Sequence, residues 1–277
     1  MTLRFAYNTN GAANHRLDDA LALIAEAGYD GVALTLDIHH LDPLAPDWAQ
    51  AAERVRGRLS ALGLGSVIET GARFLLDPRA KHEPTLVTAD PQGRARRVAF
   101  LKRAVDIAQI LGSEAVSFWA GVPKPGVDPA AARDWLRAGL EEVVAHAAGR
   151  GVVPALEPEP GMLIETVDDF AGLRLAGLSL ALDTGHCLVT GERDPAAAVR
   201  DFADRLGTVA IEDMARGVHV HLPFGEGDMD VAGVLDALEA VNFDKLVCVE
   251  LSRESHRADR MIPEALRFLR ACRGGRP

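Results

Sequence analysis

The sequence is poor in cysteine and has no long apolar run. Its three cysteines, Cys187, Cys248 and Cys272, are odd in number and widely spaced. A disulfide framework is therefore not expected, and a reducing, cytoplasmic location is predicted. No segment approaches the roughly 18 consecutive apolar residues of a membrane span, and residues 1–10 contain no apolar signal core. We expect no membrane attachment.

An excess of positive charge is also missing. The formal net charge is -10 at pH 7, and this charge repels phosphate backbones and anionic lipids. Neither a nucleic acid nor a membrane is therefore expected as a partner. We expect the basic cluster near the start of one predicted helix to lie on a solvated outer face. This cluster consists of Arg94, Arg96, Arg97, Lys102 and Arg103.

A glycine-rich phosphate fingerprint does not follow the first predicted strand, which disfavours a doubly wound dinucleotide-binding sheet. The chain instead repeats an amphipathic helix, a glycine that ends it, and a short run of strand formers. In one copy, Leu17, Leu21 and Ile24 share a helical face, Gly28 follows, and residues 31–36 form a strand. Alternation of this kind predicts parallel strands joined by helical crossovers.

The repeat predicts a single (β/α)8 barrel of the α/β class, with residues 1–277 as one domain. Eight βα units need about 250 residues, so the length fits one barrel. The predicted strands are 3–7, 31–36, 65–69, 115–119, 152–157, 178–182, 208–212 and 246–250. The longest loops, 37–46 and 70–92, follow strands on the carboxyl rim, where barrels place their sites. We expect these loops to cover a substrate.

Carboxylates stand at the ends of four later strands. Glu157, Asp183 and Glu250 each follow an apolar run, and the predicted strand seven runs to Glu212 and Asp213. The carboxyl ends of barrel strands converge on one rim. An unpaired carboxylate is costly in such a low-dielectric site. A bound divalent cation would offset that cost, and ion pairs with Arg73 or Arg253 are the alternative.

Three histidines follow the same strands. His186 lies three residues after Asp183, and His219 and His221 are separated by a period of two that places both rings on one side of an extended segment. These histidines are interpreted as contacts to a metal or a substrate. The alternatives are a rim histidine at 186 and a surface pair at 219 and 221. Oxygen and histidine ligands suit manganese, magnesium, cobalt or zinc, and the sequence does not distinguish among them.

Several of these motifs, in chain order, resemble the xylose-isomerase-like barrel superfamily. They are ALEPEPG at 155–161, LDTGH at 182–186, HLPFGEG at 221–227 and VEL at 249–251. The superfamily includes sugar phosphate isomerases and epimerases, ketose 3-epimerases, inosose dehydratases and apurinic endonucleases. The resemblance spans nearly the whole chain. It implies one divalent metal held by Glu157, Asp183, Glu250 and a histidine on strand seven.

The expected histidine of strand seven is missing. Members of the superfamily commonly place histidine three residues before an aspartate, and here Ala210 precedes Asp213 by three. We expect His219 or His221 to complete the metal sphere instead. The resemblance gives His186 a role in contacting the substrate or a second metal.

These observations predict a metal-dependent isomerase or epimerase of a small sugar or related polyhydroxy carbonyl compound. Glu157 and Glu250 would move protons through an enediolate. Trp119, at the end of strand four, would stack on a sugar face, Arg253 would hold a phosphate or hydroxyl tail, and Arg73 belongs to the substrate loop. A dehydratase or lyase on the same scaffold and a non-catalytic metabolite-binding barrel are the alternatives. The ligand is a small molecule, and a homo-oligomer formed through the outer helices is compatible with this fold.

Overall fold

Eight parallel strands form a closed barrel in the computed structural model, which describes residues 2–274. Met1 and residues 275–277, which the predicted domain includes, lie outside the described residues. The strands pair in chain order, and β8 pairs with β1 to close the barrel. They are β1 Arg4–Asn8, β2 Gly31–Thr35, β3 Gly65–Glu69, β4 Val116–Trp119, β5 Pro154–Glu157, β6 Ser179–Asp183, β7 Leu206–Ile211 and β8 Leu246–Val249. The predicted barrel is confirmed.

Helices follow the strands and cover the outside of the barrel. They are α1 Leu17–Ala27, α2 Trp48–Leu62, α3 Pro91–Leu111, α4 Pro129–Ala148, α5 Val167–Leu173, α6 Thr184–Thr190, α7 Pro195–Asp201, α8 Val231–Ala240 and α9 Ala258–Gly274. The predicted stop glycine Gly28 ends α1 with φ 91°, a left-handed conformation that favours glycine. The largest hydrophobic cluster lies between helices and strands.

Some predicted boundaries differ from the observed ones. Strand β5 begins at Pro154 rather than at residue 152, because proline has no N–H to continue a ladder. The loop predicted over residues 70–92 ends at Asp90, whose side chain accepts hydrogen bonds from the first turn of α3. Strand β7 ends at Ile211, so Glu212 lies just beyond it. These shifts leave the site residues at strand ends.

The basic cluster on α3 does not lie wholly on a solvated face. Arg97 is fully buried, and its guanidinium lies 4.2 Å from the centre of the Trp119 ring. Arg94 and Arg103 likewise stack, on Trp135 and Trp48. The expectation of a solvated patch is wrong for Arg97 because a planar, weakly hydrated guanidinium packs well against an aromatic face.

The state of the cysteines and the apolar character of the helices can be described for residues 2–274. Cys187, Cys248 and Cys272 are free there, as expected for a chain without a disulfide framework. Within residues 2–274, no helix combines the length and the apolar character needed to cross a bilayer.

Candidate metal and substrate site

A cavity of about 810 Å³ opens at the carboxyl end of the barrel. Eight of the nine predicted site residues line it: Arg73, Trp119, Glu157, His186, His219, His221, Glu250 and Arg253. The ninth, Asp183, lines a smaller cavity of about 30 Å³ between the strand ends. Glu157 and Glu250 line both cavities, so the two cavities share these acidic side chains. The fold therefore brings all nine residues to one rim.

Asp183 connects strand β6 to helix α6. One carboxylate oxygen caps the helix by accepting the His186 N–H at 3.1 Å. The other, Oδ2, lies 3.4 Å from Nε2 of the same histidine. Burial alone would raise the pKa of Asp183, but His186 and His221 hold it below its ordinary value. Asp183 therefore stays ionised and directs one oxygen toward the histidines.

His186 is oriented for binding through Nε2. Its Nδ1 lies 2.9 Å from the Pro158 carbonyl oxygen, which accepts a hydrogen bond and so assigns the proton to Nδ1. Burial lowers the pKa of His186 to about 4, so the ring is neutral near pH 7. Its Nε2 lies 3.1 Å from Nε2 of His219. A neutral ring with a buttressed Nδ1 is the usual form of a metal ligand.

Glu159 joins these two histidines. Its carboxylate oxygens lie 3.8 Å from Nε2 of His186 and 3.6 Å from Nε2 of His219. The sequence-based prediction omitted this residue. A signal was present, because Glu157 and Glu159 have the period of two that puts side chains on the same side of an extended segment.

A third acid, Glu212, lies beside Asp183 and His221. Its side chain is fully buried, and its Oε2 lies 4.0 Å from Nδ1 of His221. Both Glu212 carboxylate oxygens, Oδ2 of Asp183 and Nδ1 of His221 are buried without a hydrogen-bond partner among the described residues. Buried polar atoms without partners are costly. This group therefore has the character of a cation site.

The two predicted catalytic acids are held by short polar side chains. Glu250 accepts a hydrogen bond from Asn10 Nδ2 at 2.8 Å, and Glu157 accepts one from Ser117 Oγ at 3.3 Å. Burial and the charge of Asp183 raise the pKa of Glu250 to about 7. Burial and Glu159 raise the pKa of Glu157 well above its ordinary value. Mutual repulsion in this cluster favours protons or a cation.

Glu69 is a further acid that sequence reasoning missed. It ends strand β3 and lines both cavities. Burial and Glu250 raise its pKa to about 7. Its strand-end position was the same signal that identified the acids of β5, β6 and β8. The alternative of ion pairs to Arg73 or Arg253 is not observed for the acids of residues 2–274.

The spacing of the donor atoms fits a divalent cation. Ligands bound at about 2.0 to 2.2 Å to one tetrahedral or octahedral ion lie about 3 to 3.5 Å apart. The contacts of His186 Nε2 with His219 and Asp183 measure 3.1 and 3.4 Å. Among the described residues, three groups of side chains offer potential ligand atoms, and within each group these atoms lie within 4.8 Å of one another. They are His186–His219–His221, Glu157–Glu159–His186 and Asp183–Glu212–His221.

Comparison with known proteins identifies a family for this chain. The family profile described as xylose isomerase-like TIM barrel matches residues 21–272. An L-ribulose 3-epimerase of Mesorhizobium japonicum is 30% identical over 245 residues, which are 84% of this chain and 74% of that protein. The resemblance found from the motifs is confirmed.

Two solved structures share the fold. A D-allulose 3-epimerase from Methylomonas sp. in complex with D-allulose superposes with a TM-score of 0.73, at 21% identity over 97% of this chain and 96% of that one. The IOLI protein with a zinc atom gives a TM-score of 0.76, at 17% identity over 97% of each chain. At these identities the likeness concerns the fold alone.

Proposed function

This chain belongs to the xylose isomerase-like TIM barrel family, and from that premise we propose that it is a metal-dependent epimerase of a small ketose. It would invert the carbon next to the carbonyl group. The similarity to an L-ribulose 3-epimerase favours epimerisation over the other reactions of such a site. The observation that carries the proposal is the pair Glu157 and Glu250, which border one cavity together with the candidate ligand clusters.

The two glutamates have the properties that proton transfer to and from carbon requires. They come from different strands, β5 and β8, so they approach a bound molecule from different sides. The pKa of Glu250 is raised to about 7, which allows this carboxyl group to gain or lose a proton near neutral pH. Burial raises the pKa of Glu157 in the same direction.

Epimerisation then needs one proton in each direction. One glutamate removes the proton from the carbon beside the carbonyl, leaving an enediolate, and the other returns a proton to the opposite face. The products differ from the substrate only in configuration, so no redox partner is consumed. When bound, a divalent cation would polarise the carbonyl and neighbouring hydroxyl of the substrate. Asp183, Glu157, Glu250 and the histidines are the residues that would hold it.

Other residues of the cavity suit a polyhydroxylated substrate. Trp119 offers an aromatic face, on which sugars stack through their apolar C–H surfaces. Asn10, Arg73 and Arg253 supply donors for hydroxyl or carbonyl oxygens. The structure of a related fold contains D-allulose, and we extend a ketose of this size class to the present cavity.

The test has two stages. Elemental analysis of the protein, after chelation and refilling with Mn²⁺, Co²⁺, Zn²⁺ or Mg²⁺, should find about one divalent ion per chain. Incubation with a panel of pentuloses and hexuloses in D₂O should then give the 3-epimer, with deuterium at that carbon. The variant Glu250→Gln should lose this exchange, and the surface variant Glu26→Gln should keep it.

Other results would point to another activity. An aldose product would indicate an isomerase, and loss of water from the sugar would indicate a dehydratase. Metal binding without deuterium exchange on any sugar would favour a binding barrel. No metal uptake after refilling would overturn the proposal.

A further inference from the structure

We propose that Glu212 supplies the metal ligand of strand β7, in place of the histidine that is missing at Ala210. This inference rests on the proposed metal-dependent function and names a residue of that site. The sequence-based expectation assigned the open position to His219 or His221. The contacts of Glu212 place its carboxylate in the ligand group with Asp183 and His221.

The register of the barrel explains how Glu212 reaches the site. Thr208 and Ala210 on β7 line the small cavity between the strand ends, so the barrel-facing side of this strand is the even-numbered side. Ala210 pairs with Asp183 of β6. Glu212 lies two residues farther along, just beyond the end of the strand, and its carboxylate lies beside Asp183 and His221. Ala210 has only a methyl side chain, and it lines the small cavity of about 30 Å³.

The surroundings of Glu212 contain no protein cation or donor that satisfies it. The side chain is 0% exposed, and both carboxylate oxygens lack hydrogen-bond partners within the part of the chain that the structure describes. The carboxylate of Asp183 lies within 4.8 Å of it, and its Oδ2 is also unpaired. Two buried carboxyl groups side by side are stabilised by a shared cation.

Gly185 provides the space for this carboxylate. A Cβ atom at position 185 would lie 2.2 Å from Oε1 of Glu212 and 2.9 Å from the Met214 side chain. A side chain at position 185 would collide with Glu212, and this contact is the reason that the turn requires glycine. The backbone conformation is not the reason, since the φ of Gly185 is not in the left-handed region. The turn brings a cap, a ligand histidine and room for Glu212 together.

A purely orienting role for Glu212 does not match its distance to His221. Oε2 lies 4.0 Å from Nδ1, beyond hydrogen-bond range. Ligand atoms on opposite sides of one octahedral ion lie about 4 Å apart, so this separation is compatible with two ligands on one ion. The resulting donor set combines carboxylate oxygens with imidazole nitrogen, which suits Mn²⁺, Co²⁺ or Zn²⁺.

The test compares Mn²⁺ binding by calorimetry in the wild type, Glu212→Gln, Asp183→Asn and the surface control Glu26→Gln, which changes an exposed acid on α1. Glu212→Gln should weaken Mn²⁺ binding by about tenfold or more, as Asp183→Asn does, and Glu26→Gln should match the wild type. The metal-free variant should melt no lower than the wild type, because a buried charge is removed, while its stabilisation by Mn²⁺ should shrink. The visible spectrum of bound Co²⁺ should also change.

A second variant keeps the test decisive if the amide disturbs folding. Glu212→Asp retains the charge but withdraws the carboxylate by one methylene, and it should also bind Mn²⁺ more weakly. If both variants bind Mn²⁺ within twofold of the wild type while Asp183→Asn does not, Glu212 is not a ligand and the proposed function stands. If the wild type itself takes up no metal, the proposed function fails with it.

Discussion

Trp119 shows how a single side chain can be fixed for substrate contact. Its ring is buried to 6% exposure and lines the main cavity, with the Arg97 guanidinium stacked 4.2 Å from the ring centre. His82 packs against it edge-on, with ring centres 5.5 Å apart. The indole is thus held by Arg97, which does not line the cavity, and by His82, which does.

At this residue scale we predict that Trp119→Ala weakens substrate binding without removing metal. Loss of one stacking face costs about 1 to 2 kcal/mol, so KM for the ketose should rise about tenfold. Metal content, measured on the same sample, serves as the control and should equal that of the wild type. A variant that loses metal as well would show that Trp119 supports the ligand cluster rather than the sugar.

The segment between β7 and α8 illustrates the element scale. Asp213 accepts hydrogen bonds from the Gly225 and Met229 N–H groups at 2.8 and 2.9 Å, and its backbone pairs with Leu222 in both directions. These bonds fold the segment back over the rim. His219 and His221 lie on it, so their positions depend on a residue that binds no substrate.

We predict that Asp213→Asn weakens metal binding although Asp213 is not a ligand. An amide can accept at one atom only, so one of the two partly buried N–H groups loses its partner at a cost of about 1 kcal/mol. The melting temperature should fall by several degrees, and the Kd for Mn²⁺ should rise. Asp201, the last residue of α7, forms an exposed ion pair with Arg193; Asp201→Asn removes only this pair and should change neither quantity. Unchanged Mn²⁺ affinity in Asp213→Asn would separate this segment from the metal site.

On the scale of the whole molecule, the acidic rim links stability to pH. Glu69 has a folded-state pKa of about 7, raised from 4.5 by burial and by Glu250. Between these two values the folded chain binds more protons than the unfolded chain. The contribution of Glu69 to stability is therefore greatest at low pH in this window and is lost as pH rises from about 4.5 to about 7.

We predict that the metal-free protein, kept in chelator, melts at a lower temperature at pH 7.5 than at pH 5. A shift of this size in one carboxyl group corresponds to about 3 kcal/mol, and Glu69→Gln should reduce the pH-dependent loss. Glu26→Gln is the control and should follow the wild-type curve. Equal curves for Glu69→Gln and the wild type would mean that other acids of the rim account for the effect.

The sequence alone determined the barrel and three of its rim acids. Helical periodicity, stop glycines such as Gly28, and short apolar runs are properties of neighbouring residues, and they dictate that eight parallel strands alternate with helices. Once that alternation is known, residues at strand ends must converge. For this reason Glu157, Asp183 and Glu250 lie at the rim, where the sequence predicts them.

Tertiary structure decided which other side chains join them. The sequence places Glu212 at the end of strand seven, but it reaches the ligand group because Gly185, on the turn after the preceding strand, leaves space for it. Arg97 is buried because Trp119, from another βα unit, covers it. Contacts of this kind join residues that are distant in sequence. They decide whether the side chain of an acid or a cation is buried or exposed to solvent. A sequence pattern determines which segments form strands and helices, and only the packed barrel determines which distant side chains meet.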